Sequence, residues 1–216
     1  MNFLQLCQAV VREAGLSGNG PATVVNQTGM LGRIVAWVAD AWADIQRERT
    51  DWRFLWRVSN AALVIGKQLY TYADLGAADA ARISAIYLIR DGQRHRLDGC
   101  LCDERVAILN RTNTGMPAAF VELPDRTVLF DALPDAAMSV EVEYYRKPQV
   151  LAANGDVPLV AEQYHRAIVQ RALIAYAAFD EAQTLLQMAG ARYEREYGQM
   201  VNDLTPQIGM GSSPYP

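Results

Sequence analysis

The chain has 216 residues, a formal net charge of −4 and a sequence pI of about 5.2, so as a whole it is no electrostatic match for a nucleic-acid backbone. Hydrophobic residues at 51% and charged residues at 20% are an ordinary globular balance, which excludes a wholly disordered protein and supplies enough apolar side chain for a core. No apolar run approaches the ~20 residues that span a bilayer, and Met1-Asn2-Phe3-Leu4-Gln5-Leu6-Cys7 lacks the basic start and long apolar stretch of a signal peptide. Synthesis in the cytosol without membrane association is the expectation.

Residues 3–14 carry Phe3, Leu6, Cys7, Val10, Val11 and Ala14 on one helical stripe closed by Gly15. Loop chemistry follows from Leu16 to Pro21. Thr28 is placed to cap a second helix, which has Leu31, Ile34, Val35, Val38, Trp42 and Ile45 on one face and Arg33, Asp40, Asp44, Arg47 and Glu48 on the other. It runs into Asp51-Trp52-Arg53-Phe54-Leu55-Trp56, an aromatic cluster of the kind that seals a helix layer against a sheet.

The period then changes. Residues 58–72 carry Leu63, Ile65, Leu69, Tyr70 and Tyr72 around a turn at Gly66-Lys67. Ile83 to Ile89 is an apolar, strand-like run ending at Asp91-Gly92, the strongest short-range hairpin signal, and a polar strand returns through Arg96 and Leu97. A short helix is expected over 103–110. Three strands follow at 118–123, 126–130 and 138–146, with turns at Pro124-Asp125 and Leu133-Pro134-Asp135. The alternation Val140-Glu141-Val142-Glu143-Tyr144 buries one face and wets the other. About six short strands therefore form the middle of the chain.

Pro148 to Pro158 is expected as a loop. The helical period resumes with Tyr164, Ile168, Ala172, Ala175 and Tyr176, then from about Asp180 with Leu185, Leu186, Ala189, Tyr193, Tyr197, Met200 and Leu204. The predicted fold is α+β: an antiparallel bundle of N- and C-terminal helices with an inserted antiparallel β module. Its predicted divisions are 1–57 and 148–204 for the helices, 58–147 for the β module and 205–216 for a flexible Gly/Pro/Ser-rich tail.

Chemistry is sparse. Cys7, Cys100 and Cys102 are an odd number without framework spacing, so thiols in a reducing compartment are expected. His165, beside Glu162 and Tyr164, has no Ser or Cys nucleophile motif near it; a small acid–base enzyme using His165 with Glu162 is the alternative reading. His95, Cys100 and Cys102 lack the spacing and the fourth ligand that zinc requires. Gly15 to Gly20 has neither the lysine nor the glycine spacing of a phosphate loop. Asp131, Asp135, Glu141 and Glu143 read as a solvated face rather than paired catalytic carboxylates. No catalytic residue, cofactor or metal is expected. Arg82, Arg90, Arg94, His95 and Arg96 form the one local positive patch, and Arg90, Arg94 and Arg96 are candidates for an acidic partner. Ile208, Met210 and Tyr215 are the apolar anchors that the tail offers to a partner.

One ordering of motifs carries a resemblance. Phe3-Leu4-Gln5-Leu6 opens the first helix, a Trp-bearing helix ends in Asp51-Trp52-Arg53-Phe54-Leu55, and Gly115-Met116-Pro117-Ala118-Ala119-Phe120, Leu133-Pro134-Asp135 and Val142-Glu143-Tyr144-Tyr145-Arg146-Lys147-Pro148 follow. Asp156-Val157-Pro158-Leu159-Val160-Ala161-Glu162-Gln163-Tyr164-His165 then opens the helical end. Over roughly residues 1–204 this resembles the head–tail adaptor, or connector, proteins of tailed bacteriophages. The resemblance implies a virion structural protein at the head–tail junction and a homo-oligomeric ring, commonly of twelve copies. Such a ring docks on the portal protein, extends the channel through which packaged DNA passes without specific binding, and receives the downstream tail or nozzle protein. It implies no catalytic residues, and it gives the C-terminal tail a place against the portal. Another tail-completion or minor virion protein is the nearest alternative.

Overall fold

The computed structural model describes residues 1–90, 92–101 and 113–205. Among them the fold is α+β, with four α-helices and two four-stranded sheets. The chain divides into two compact units, one from Met1–Phe54 with Pro148–Pro216 and the other from Leu55–Lys147. The predicted helix at 103–110, Cys102 and the tail anchors Ile208, Met210 and Tyr215 lie outside the described residues.

In the helical unit, α1 spans Phe3–Glu13 and starts with a capping box. The Asn2 side chain accepts from the Gln5 amide, and the Gln5 side chain accepts from the Asn2 amide, both at 2.9 Å. Helix α2 spans Gly29–Arg47 and buries Ile34, Val38, Ala41, Trp42 and Ile45. Thr28 holds the N-cap position in extended backbone, but its side chain makes no cap hydrogen bond. Helix α3 spans His165–Phe179 and α4 spans Gln183–Leu204. Apolar side chains point inward from most of the circumference of α3, because it packs against α1, α2 and α4. The last helix begins later than Asp180, since Asp180 caps α3 through the Tyr176 carbonyl and Glu181 has φ +54°.

The loop after Pro148 is pinned rather than slack. Gln46, buried on α2, donates to the Gln149 carbonyl at 2.9 Å and accepts from the Gln149 amide at 2.7 Å. The Asn154 side chain accepts from the Val24 amide at 2.7 Å, and the Phe3 amide donates to the Asp156 carbonyl at 2.7 Å. These bonds satisfy backbone groups that would otherwise be costly to bury.

The second unit is a pair of sheets sharing one core. Its strands are β1 Trp56–Leu63, β2 Leu69–Thr71, β3 Ala80–Arg90, β4 Gln93–Arg96, β5 Asp98–Cys100, β6 Ala119–Glu122, β7 Thr127–Phe130 and β8 Met138–Arg146. The first sheet has the order β1-β8-β3-β4 and is antiparallel throughout. The second has the order β2-β7-β6-β5, in which β5 pairs parallel with β6. Leu63, Ile86, Leu88, Val140, Val142 and Tyr144 of the first sheet share a core with Tyr70, Phe120, Val128 and Phe130 of the second, together with Tyr72, Leu75 and Ala77.

Among the described residues eight strands stand where about six were predicted. The turn at Gly66, φ +75°, does not make a hairpin: β1 pairs with β8 and β2 with β7, so the chain changes sheet there. The Asp-Gly signal does make one, with Arg90 opposite Gln93 and Gly92 at φ +75°. Pro124-Asp125 turns β6 into β7, and Arg126 takes φ +67° while its amide donates to Leu123.

Candidate interaction surface

Register decides which side chains share the outer face of the first sheet, because paired residues point the same way. Glu141 of β8 lies opposite Asn60 of β1 and Tyr87 of β3, and Tyr87 lies opposite Arg96 of β4. Ile89 lies between Ser139 and Arg94, while Glu143 lies opposite Val58, and Tyr145 opposite Trp56. The other face holds Ala61, Leu63, Val140, Val142, Ile86 and Leu88, all packed into the core.

On that outer face the Arg94 guanidinium sits 4.1 Å from the Tyr87 ring centroid and reaches over β3 to β8. There it pairs with Glu141 and, at 3.0 Å, with Glu143. Arg82 stacks on Tyr145 at 4.5 Å in the same manner. Glu141 and Glu143 are about one-fifth exposed, so they are partly covered by the arginine that bridges them. Toward the β1 edge the face becomes apolar, with Trp56 and Val58 each 40% exposed.

This arrangement redistributes the predicted basic patch. Arg94 is engaged within the chain by two carboxylates, Arg90 donates to the Met116 sulfur at 3.6 Å, and Arg96 is exposed on the edge strand β4. The sequence shows the alternation of Glu141 and Glu143. It does not show the arginine that crosses a strand to bridge them.

A second feature is an apolar turn between β1 and β2. Val64 and Ile65 are 57% and 61% exposed, yet the turn is braced. The Tyr70 hydroxyl accepts from the Val64 amide at 2.7 Å and donates to the Val64 carbonyl at 3.2 Å, and the Gly66 amide donates to Pro134 at 2.9 Å.

The residues weighed for chemistry are tied into the structure. His165 is buried; its Nε2–H donates to the Val160 carbonyl at 3.0 Å, leaving Nδ1 to accept from the Met1 amine at 2.8 Å. Burial pushes its pKa below the ordinary value. Glu162 pairs with the same amine at 3.0 Å, which holds its carboxyl below the usual carboxylate range. Both ring nitrogens are therefore occupied by structural partners, and no nucleophile stands among those named. The Cys7 thiol is buried and pushed up to about 12 by desolvation, which keeps it protonated and inert. Cys100 packs beside Val121, Leu123 and Leu129. One oxygen of Asp131 accepts from the Ala118 and Ala119 amides at 2.9 and 3.0 Å, fixing the start of β6. Among the described residues no group of three or more His, Cys, Asp or Glu side chains is placed to hold a metal ion, and no helix is long and apolar enough to cross a membrane.

Residues 1–214 match the SU10 adaptor protein family. No curated protein matches the chain.

Proposed function

The chain belongs to the SU10 adaptor protein family, which bears out the resemblance to phage head–tail adaptors, and from that membership we propose that it is a ring subunit of the head–tail junction. In this reading copies of the chain close into a ring on the portal protein, extend the DNA channel and receive the downstream tail or nozzle protein. The helical unit serves as an antiparallel bundle, and the sheet unit presents the outer face to neighbours. The observation that carries the reading is the family match across residues 1–214. It is supported by the structural employment of His165 and Glu162, the pair on which the acid–base alternative rests. Ile208, Met210 and Tyr215 are the proposed anchors for a partner in the assembly, and Arg90 and Arg96 the proposed contacts to an acidic one.

Electron microscopy of the purified chain, alone and mixed with portal particles, tests this. Rings seated on the portal vertex are the expected result. A mixture in near-physiological salt that shows the portal bare, with the chain monomeric beside it, would overturn the assignment.

A further inference from the structure

A sheet edge is a template for another strand, and proteins blunt their edges with charge, proline or shortness. The edges of the second sheet, β2 and β5, have three residues each. At one edge of the first sheet, β4 has four residues, all exposed, and three of them are Arg94, His95 and Arg96. β1, at the other edge, is unlike these. It has eight residues without proline or lysine, its one charged residue is Arg57, and its outer side chains Trp56 and Val58 are exposed.

The two edges of this sheet are complementary in direction. An antiparallel sheet with four strands in the order β1-β8-β3-β4 has edge strands that run in opposite senses. A copy related by simple rotation therefore lays its β4 beside β1 antiparallel, with the outer face still outward, and the same contact repeats from copy to copy. They are also complementary in charge. Glu141 and Glu143 stand on β8, next to the edge strand β1 and separated from the other edge strand β4 by β3. Across β3 the two carboxylates share a single guanidinium, that of Arg94, laid over Tyr87. Across β1, the β4 strand of a neighbour brings its Arg96 to the same separation, with Asn60, opposite Glu141, in the place that Tyr87 holds within the chain and Val58 opposite Glu143.

We infer that the β1 edge is the seat of strand β4 from a second copy, in a head-to-tail contact that joins the first sheets of successive subunits. The inference rests on the ring reading above and names a surface for it; helix-to-helix contact is not required. Each copy adds four strands, about 19 Å of circumference at the usual strand spacing.

Sedimentation velocity of the full chain across its soluble concentration range tests the contact without portal. Wild type is expected to associate. Arg96→Glu sets a carboxylate toward Glu141 and Glu143, and Val58→Lys sets a cation toward the incoming Arg96; each weakens association at least tenfold. The double variant regains it, because the two new charges attract. Both side chains are exposed, so unfolding midpoints stay unchanged, and Asn60→Lys replaces Val58→Lys should that variant fold poorly. A wild-type chain that is monomeric throughout, single variants that associate like wild type, or a double variant no better than the singles would each overturn the inference. Portal co-sedimentation separates the two claims. If Arg96→Glu still binds portal and wild type shows no self-association, the adaptor reading stands and the edge contact falls; if wild type self-associates as above but ignores portal, the reverse holds.

Discussion

The indole N–H of Trp52 donates to the Ile45 carbonyl at 3.0 Å, so the chain leaving α2 folds back on that helix. Trp52 is fully buried, stacks on Phe54 with centroids 5.4 Å apart, and meets Tyr197 of α4 edge-on at 6.0 Å. Phe54 stacks in turn on Trp42 at 5.5 Å. The cluster expected to seal helices against the sheet thus has these partners in the helical unit.

Trp52→Ala should cost about 3–5 kcal/mol, the range for truncating a large aromatic side chain in a core. Denaturant unfolding of the two proteins measures this directly. A difference below ~1 kcal/mol would place Trp52 outside the cooperative core of its unit.

Tyr70 makes a different kind of contribution, since its hydroxyl holds both backbone groups of Val64 at the exposed turn. Tyr70→Phe keeps the ring that meets Phe130 edge-on at 5.5 Å and removes only the brace. The cost should be about 1 kcal/mol, as for an ordinary hydrogen bond whose partners lie near water. Hydrogen exchange at the Val64 amide should quicken while that of the buried strands β7 and β8 stays the same. Uniform quickening across the unit would instead mean that the brace supports the whole core.

Helix periods were readable because one stripe per helix meets the core: Phe3, Leu6, Val10 on α1 and Ile34, Val38, Trp42, Ile45 on α2 are buried as the spacing predicts. Strand β8 was readable for the same reason at a period of two, with Val140, Val142 and Tyr144 buried, while β3, β6 and β7 were readable as short apolar runs closed by turn residues. Strand β5 was not, since Asp98-Gly99-Cys100 has no apolar alternation and joins the sheet by parallel pairing to β6. The Arg94 bridge was equally hidden. It joins residues 47 and 49 positions apart and depends on the register of β8 against β3 and of β3 against β4, which no local spacing encodes. Likewise the burial of the Gln46 side chain follows from a loop partner, Gln149, 103 residues away.

Arg94 leads to a prediction in which little stability is at stake. The guanidinium is about half exposed, so water and salt screen its pairs with Glu141 and Glu143. Arg94→Ala should change unfolding free energy by about 1 kcal/mol or less, with a difference that shrinks further in high salt. A loss above ~2 kcal/mol that ignores salt would show that the stacking of Arg94 on Tyr87 carries the energy, not the charge.

His165 gives the fold a pH response whose sign follows from its surroundings. The ring is buried and accepts from the Met1 amine at Nδ1, and the same amine pairs with the Glu162 carboxylate. Desolvation, with the nearby amine adding to it, pushes its pKa below the ordinary 6.5. The unfolded chain therefore takes up a proton on this residue at a higher pH than the native one does. Between the native pKa and about 6.5 the unfolded state binds more protons, so stability falls as pH drops through that window and is fully present above it. Glu162 works at lower pH: its carboxyl is held down by the amine, so its contribution is lost only as the carboxylate protonates. His165→Gln retains an amide donor for Val160 and an acceptor for the amine without a titrating proton. On going from about pH 7.5 to about pH 5.5, the denaturant midpoint of wild type should fall further than that of His165→Gln. Equal slopes in the two proteins would mean that another group sets the acid response, and that the buried imidazole carries its proton as readily folded as unfolded.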